Sequence, residues 1–183
     1  MDVKKYIADY SRQITCLREE YELENSVVVG SIARMMPVKN HMFMLDLARK
    51  LKEHGISFKM LFIGDGDLRV EIARAIEKYN LGREVFMLGI REDIPVLLNT
   101  FDVFLMPSFF EGNPVSLIEA QASGVPCVVS DVITTKIDVG LNLVHRCSLE
   151  DTPDIWMEKI LQCSKQRCSN KRKRSIKECL ISL

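Results

Sequence analysis

The sequence predicts an α/β fold, a Rossmann-like doubly wound parallel sheet with helices on both faces. Three observations carry that expectation. Short apolar runs recur at 27–33, 58–63, 85–89, 101–106 and 125–129, with a last one at 141–144. They are largely continuous instead of alternating, as strands covered on both faces are. The stretches between them carry apolar residues at helical spacing, and strands alternating with helices build parallel sheets. At 183 residues and 47% hydrophobic content, the chain is large enough for one domain with a real core.

Residues 1–24 read as a linker and surface helix, with Tyr6, Ile7, Tyr10, Ile14 and Leu17 at helical spacing. The α/β domain is expected over 25–165. After the first strand, Asn40 is a fair cap for a helix through Phe43, Met44, Leu47, Ala48 and Leu51. The second strand ends in Gly64-Asp65-Gly66, ahead of a helix over 68–79 with Val70, Ala73, Ala75 and Ile76 as apolar positions. That loop stops at two glycines and follows the second strand, so it is not the Gly-x-Gly-x-x-Gly fingerprint of dehydrogenases. By itself it is a tight strand-to-helix turn. The third strand leads through Ile90-Arg91-Glu92-Asp93 into a short helix over 94–98. Near the end, Thr152 and Pro153 suit the cap and first position of a helix through Ile155, Trp156, Ile160 and Leu161.

Several classes are excluded by composition. No run of about 18 apolar residues is present to predict a membrane span. Residues 1–6 lack the apolar region of a signal peptide. The six cysteines, Cys16, Cys127, Cys147, Cys163, Cys168 and Cys179, form no Cys-x-x-Cys pair and read as reduced thiols. His41, His54 and His145 are scattered, so no metal site is expected. The net charge of zero conceals an asymmetry: residues 159–183 carry eight bases and one acid, net +7, against −7 over the rest. The basic tail, 166–183, is read as a solvated end or as an attachment to an anionic membrane surface. No nucleic-acid partner is expected.

The chemistry concentrates in residues 109–126. Asn113 and Pro114 suit the N-cap and first position of a helix that Gly124 stops. Most of that helix is apolar or small. Ser116, Glu119 and Ser123 recur at i, i+3, i+7 and form one polar stripe. A carboxylate on a largely buried helix calls for a hydrogen-bonding partner. Glu111 sits just before the free amides of the helix start. Together they suit a ligand with hydroxyls for the carboxylates and an anion for the helix N-terminus. A capped helix with Glu119 at the surface is the other reading of this spacing. Arg34 and Lys39 follow the first strand at its C-terminal end, where doubly wound sheets bind ligands, and both residue types grip phosphate. On charge alone they are equally two solvated loop residues.

Glu-x7-Glu, here Glu111-Gly112-Asn113-Pro114 through Ile118-Glu119-Ala120, followed by Gly124-Val125-Pro126, closely resembles the donor-binding motif of retaining GT-B glycosyltransferases. The similarity is to family 4 and its capsular and exopolysaccharide transferases. Arg34, Lys39 and Asn40 are similar to that family's Arg-x4-Lys-Asn diphosphate clamp, with Ala33 where the family usually has Gly. The resemblance covers roughly residues 1–165. It implies one half of a GT-B fold, which binds a nucleotide-diphosphate sugar, UDP-sugar by default, as substrate without a further cofactor or metal. It implies that Glu111 holds sugar hydroxyls, Glu119 the ribose hydroxyls, and the backbone of Gly112, Asn113, Pro114, Val115 and Ser116 the phosphates. Gly64 and Asp65 would lie beneath the nucleotide, and Ile90 and Arg91 beside its base. Arg34, Lys39 and Glu111 would carry the transfer chemistry, with retention, to a polysaccharide or lipid-linked acceptor. The chain would begin where an N-terminal acceptor-binding domain ends, making that domain a partner. A cytoplasmic place of action follows, on the inner face of the plasma membrane if the tail attaches. A sugar-nucleotide epimerase and a non-catalytic donor-binding module share enough of these features to stand as alternatives.

Overall fold

The structure, a computed structural model, describes residues 2–167. Six strands, β1 (Val27–Ile32), β2 (Phe58–Ile63), β3 (Val85–Gly89), β4 (Val103–Met106), β5 (Cys127–Ser130) and β6 (Val144–Cys147), form one sheet ordered β3-β2-β1-β4-β5-β6. Every pairing is parallel. The expected doubly wound fold is therefore the observed one.

The strands bury both faces because their residues alternate between two cores. Val29, Met60, Phe62, Val103, Leu105 and Val128 face α2 (His41–Glu53), α3 (Arg69–Lys78) and α6 (Pro153–Arg167). Val28, Leu61, Ile63, Phe104, Cys127 and Val129 face α1 (Ser11–Glu20), α4 (Ile94–Thr100) and α5 (Val115–Ala122). Each large apolar side chain so buried contributes about 1.5–3 kcal/mol. Gly30 is dictated by packing: a Cβ there would lie 2.0 Å from the ring of the fully buried Phe101. Cys127, Cys147 and Cys163 are buried and none is in a disulfide, and burial pushes Cys147 up to about 11.

Local chemistry moves some expected boundaries. The N-terminal segment is a 3-10 helix, Val3–Tyr6, and then α1, with the helical period broken between them. Tyr6 and Leu17 are buried in the α4/α5 core. The last strand forms at Val144–Cys147, not at 141–144, because Gly140 and Asn142 take left-handed φ of 78° and 52° and make a turn. Leu143 is buried in that approach, and its carbonyl accepts from the Cys127 N–H at 2.7 Å. Val70 and Ile155, expected on apolar faces, are exposed. Asn113 does not cap α5. Pro114 holds that position, with no side-chain cap, and its carbonyl accepts from Leu117 and Ile118. Gly124 ends α5 as expected: at φ 68° it donates to Gln121, and Val125 to Ala120, at 2.9 and 3.0 Å. Tail residues 168–183 lie outside the described residues. Among the described residues no helix is long and apolar enough to cross a membrane.

Candidate functional site

The sheet order reverses between β1 and β4, which lie side by side although β2 and β3 intervene in sequence. The loops leaving their C-terminal ends therefore diverge to opposite faces and open a crevice. Here the two loops are tied across it. Phe109 N–H donates to Val38 O at 2.9 Å, and Asn40 Nδ2 to Pro107 O at 3.1 Å. Asn40 precedes α2 in the left-handed conformation, φ 58° and ψ 43°, so its side chain reaches the β4 loop instead of capping its own helix.

Lys39 and Glu111 meet at this tie. Lys39 Nζ donates to both carboxylate oxygens of Glu111 at 2.7 Å, and Ser108 Oγ donates to Oε1 at 2.7 Å. The Glu111 side chain is only 6% exposed. Ser108 is itself buried, and its carbonyl is fixed by Ser130 Oγ at 2.6 Å. An ammonium has three protons, so Lys39 keeps one for a further acceptor. Arg34 stands exposed at the start of the same loop and bonds to no described residue.

The β2 loop lies against this one. Met35 N–H donates to Asp65 O and Leu68 N–H to Met35 O, while Gly64 N–H donates to Gly89 O. Gly64 adopts φ 129°, and a Cβ on it would sit 2.1 Å from Ala33 O. The Asp65 carboxylate is spent locally, on the Gly66 N–H at 2.7 Å and on Arg69 at 3.8 Å.

At the α5 start, Gly112, Asn113 and Val115 are exposed, Pro114 is buried and Ser116 half-buried. The Val115 N–H is used by Asn113 O, whereas the amides of Gly112, Asn113 and Ser116 donate to no described residue. One turn further on, Glu119 is half-buried and its Oε1 accepts the Tyr6 hydroxyl at 2.5 Å. Ile90 is 80% exposed after β3. Arg91 is not free beside it. It grips Asp93 with a fork at 2.8 and 2.7 Å, which holds the guanidinium pKa up and the Asp93 carboxyl down. Among the described residues, no cluster of His, Cys, Asp and Glu could hold a metal ion.

Sequence reasoning foresaw neither the Ser108 bond to Glu111, nor the Asn40 bond to Pro107 O, nor any part for Tyr6. Ser108 had a local signal, standing three residues before a carboxylate at the end of a buried strand. Tyr6 had none, being 113 residues from its partner.

A parallel sheet of this order, with basic and acidic side chains at its switch point, defines a Rossmann-like domain. Residues 14–178 match the family "Glycosyl transferases group 1", and the chain belongs to it. It is 46% identical over 157 residues to EpsF of Bacillus subtilis (strain 168), which carries a provisional glycosyltransferase name; the match takes in 86% of this chain and 40% of EpsF. It is 35% identical over 111 residues to the UDP-Gal:alpha-D-GlcNAc-diphosphoundecaprenol alpha-1,3-galactosyltransferase of Escherichia coli, covering 59% of this chain and 29% of that one. The chain thus spans less than half the length of these relatives. Among solved structures, a point mutant of S. aureus TarM in complex with fondaparinux, alpha-GlcNAc-glycerol and UDP superposes with a TM-score of 0.72 and 26% identity, over 87% of this chain and 33% of TarM.

Proposed function

We propose that this chain is the donor-binding domain of a family 4, retaining glycosyltransferase that takes a UDP-sugar and passes the sugar to a polysaccharide or lipid-linked acceptor. The observation that carries the reading is the Lys39–Glu111 pair at the sheet's switch point. It places a cation with a spare proton beside a nearly buried carboxylate, at the end of β1 where a ligand of an α/β sheet enters. The UDP in TarM and the UDP-galactose in the name of the E. coli relative support the choice of nucleotide.

In this reading Arg34 and Lys39 take the diphosphate. As the sugar leaves, negative charge grows on the diphosphate oxygens, and preset cations stabilise it more than they stabilise the ground state. The free amides of Gly112, Asn113 and Ser116 add hydrogen bonds to the same charge. Glu111, held by Lys39 and Ser108, accepts from sugar hydroxyls and orients the donor. Glu119 accepts from the ribose, and exposed Ile90 covers the base, whereas the fork to Asp93 leaves Arg91 a supporting part. Acceptor binding is assigned to the portion of the longer relatives that this chain does not match. Action at the cytoplasmic membrane surface, through the basic residues of the tail, belongs to the same proposal.

Calorimetric titration with UDP, GDP and UDP-sugars, with and without magnesium, tests it. UDP is expected to bind without metal. Lys39→Met is expected to weaken it about 10–100-fold, the worth of a charge-assisted hydrogen bond. Glu111→Ala is expected to spare UDP and reduce only the increment due to the sugar. Absence of UDP binding, or equal affinities for UDP and uridine, would refute the reading.

A further inference from the structure

Tyr6 belongs to the short N-terminal 3-10 helix, far from the site in sequence, and yet it touches the site. Its backbone carbonyl accepts from Asn99 Nδ2 at 3.1 Å, which fastens the segment to α4. Its ring is buried among the side chains of α4 and α5. Its hydroxyl ends on Glu119 Oε1 at 2.5 Å, the length of a strong charge-assisted bond. Burial and the neighbouring carboxylate push the phenol's pKa up, so it stays a proton donor at any working pH. The other carboxylate oxygen, Oε2, accepts from no described residue.

A carboxylate at the end of a three-torsion side chain samples several orientations, and ordering it on ligand binding weakens affinity. A phenol on one oxygen removes most of that freedom beforehand. The other oxygen, which accepts from no described residue, is then left for a ligand. We infer that Tyr6 is a positioning residue for Glu119: by fixing Oε1, it presents Oε2 to the ribose hydroxyls of the nucleotide donor. The inference rests on the ribose reading of Glu119 proposed above. It makes donor affinity depend on whether the N-terminal segment is docked on α4 and α5.

The test is calorimetry of the 183-residue chain and its Tyr6→Phe variant with two probes, UDP and 2′,3′-dideoxy-UDP. Phe fills the same space and loses only the hydroxyl. Tyr6→Phe is expected to weaken UDP about 3–10-fold, as leaving one more side chain to be ordered on binding does, and to leave dideoxy-UDP within about twofold. In a Glu119→Ala background the same change is expected to do nothing further. A merely structural Tyr6 would weaken both probes equally and persist in that background, which overturns the inference. Tighter UDP binding by Tyr6→Phe also overturns it, because Tyr6 would then be competing with ligand for Glu119. The two readings separate in the unaltered chain. If that chain prefers UDP to dideoxy-UDP and Tyr6→Phe keeps the preference, the ribose reading stands and Tyr6 alone falls. If the unaltered chain shows no preference, or binds neither probe, the ribose role falls and the inference with it.

Discussion

His41 opens α2 directly behind the Lys39–Glu111 pair. It is 2% exposed, its ring meets the edge of Phe62 at 5.3 Å, and its Nδ1 has no hydrogen-bond partner among the described residues. Burial first, and the Lys39 charge second, lower its pKa from 6.5 to about 4. The unfolded chain therefore takes up a proton near pH 6.5, while the folded chain resists until about pH 4. Between those values the unfolded state holds more protons, so stability falls as the pH falls. The loss is on the order of 3 kcal/mol and is complete below about pH 4. Urea unfolding at pH 4.5 and 7 is expected to show this drop in the unaltered chain and a much smaller one in His41→Phe. The same drop in both would place the acid sensitivity elsewhere. Glu111 makes a related point: a carboxylate this buried is tolerable because three hydrogen bonds reach it, from Lys39 and Ser108.

At the level of elements, the site is a set of loops pressed together by backbone. Gly64 is where that pressing is tightest, with its φ of 129° and the Ala33 carbonyl over its missing Cβ. Gly64→Ala is expected to cost about 2–3 kcal/mol, from strain and from prising the β2 loop off the β1 loop. Gly82→Ala is the control: nothing lies within 4 Å of its Cβ position, and a change within about 0.5 kcal/mol is expected. Equal losses, read from urea denaturation, would show that the loop yields instead. Strands β1 to β5 were legible because burial on both faces leaves continuous apolar runs that few other structures need. The Gly124 stop was legible because a left-handed turn after a helix needs glycine. The β6 start and the α5 cap were not. There the outcome turns on left-handed Asn142 and on Pro114 taking the cap position itself, choices set by tertiary packing. The resemblance put Lys39, Glu111 and Arg91 in one site but implied neither the Lys39–Glu111 pair nor the Arg91–Asp93 fork, a contact two residues apart.

Over the whole molecule, the site belongs to neither half of the sheet. Lys39 comes from the β1–α2 side and Glu111 from the β4–α5 side, and their bond crosses the reversal in strand order. A ligand held from both sides, as UDP is by Lys39 and by the amides before α5 in the proposed reading, can bind only when both halves are folded and joined. UDP at about 100 times its dissociation constant is therefore expected to raise the unfolding free energy by about 2.7 kcal/mol. It should do so by moving one cooperative transition upward in calorimetry. A scan that splits, with one component shifted and the other fixed, would show that a single half carries the site.

The same strand order sets a schedule for the newborn chain. A polypeptide leaves the ribosome N-terminus first, and β1 can pair with β2 as soon as β2 emerges. Its other edge must wait for β4, about 40 residues and roughly 2–8 s later at ordinary synthesis rates. During that wait, β1 offers an unpaired apolar edge to any passing strand. The exposed interval is the one that a holding chaperone has to cover, and slowing synthesis between β2 and β4 would lengthen it.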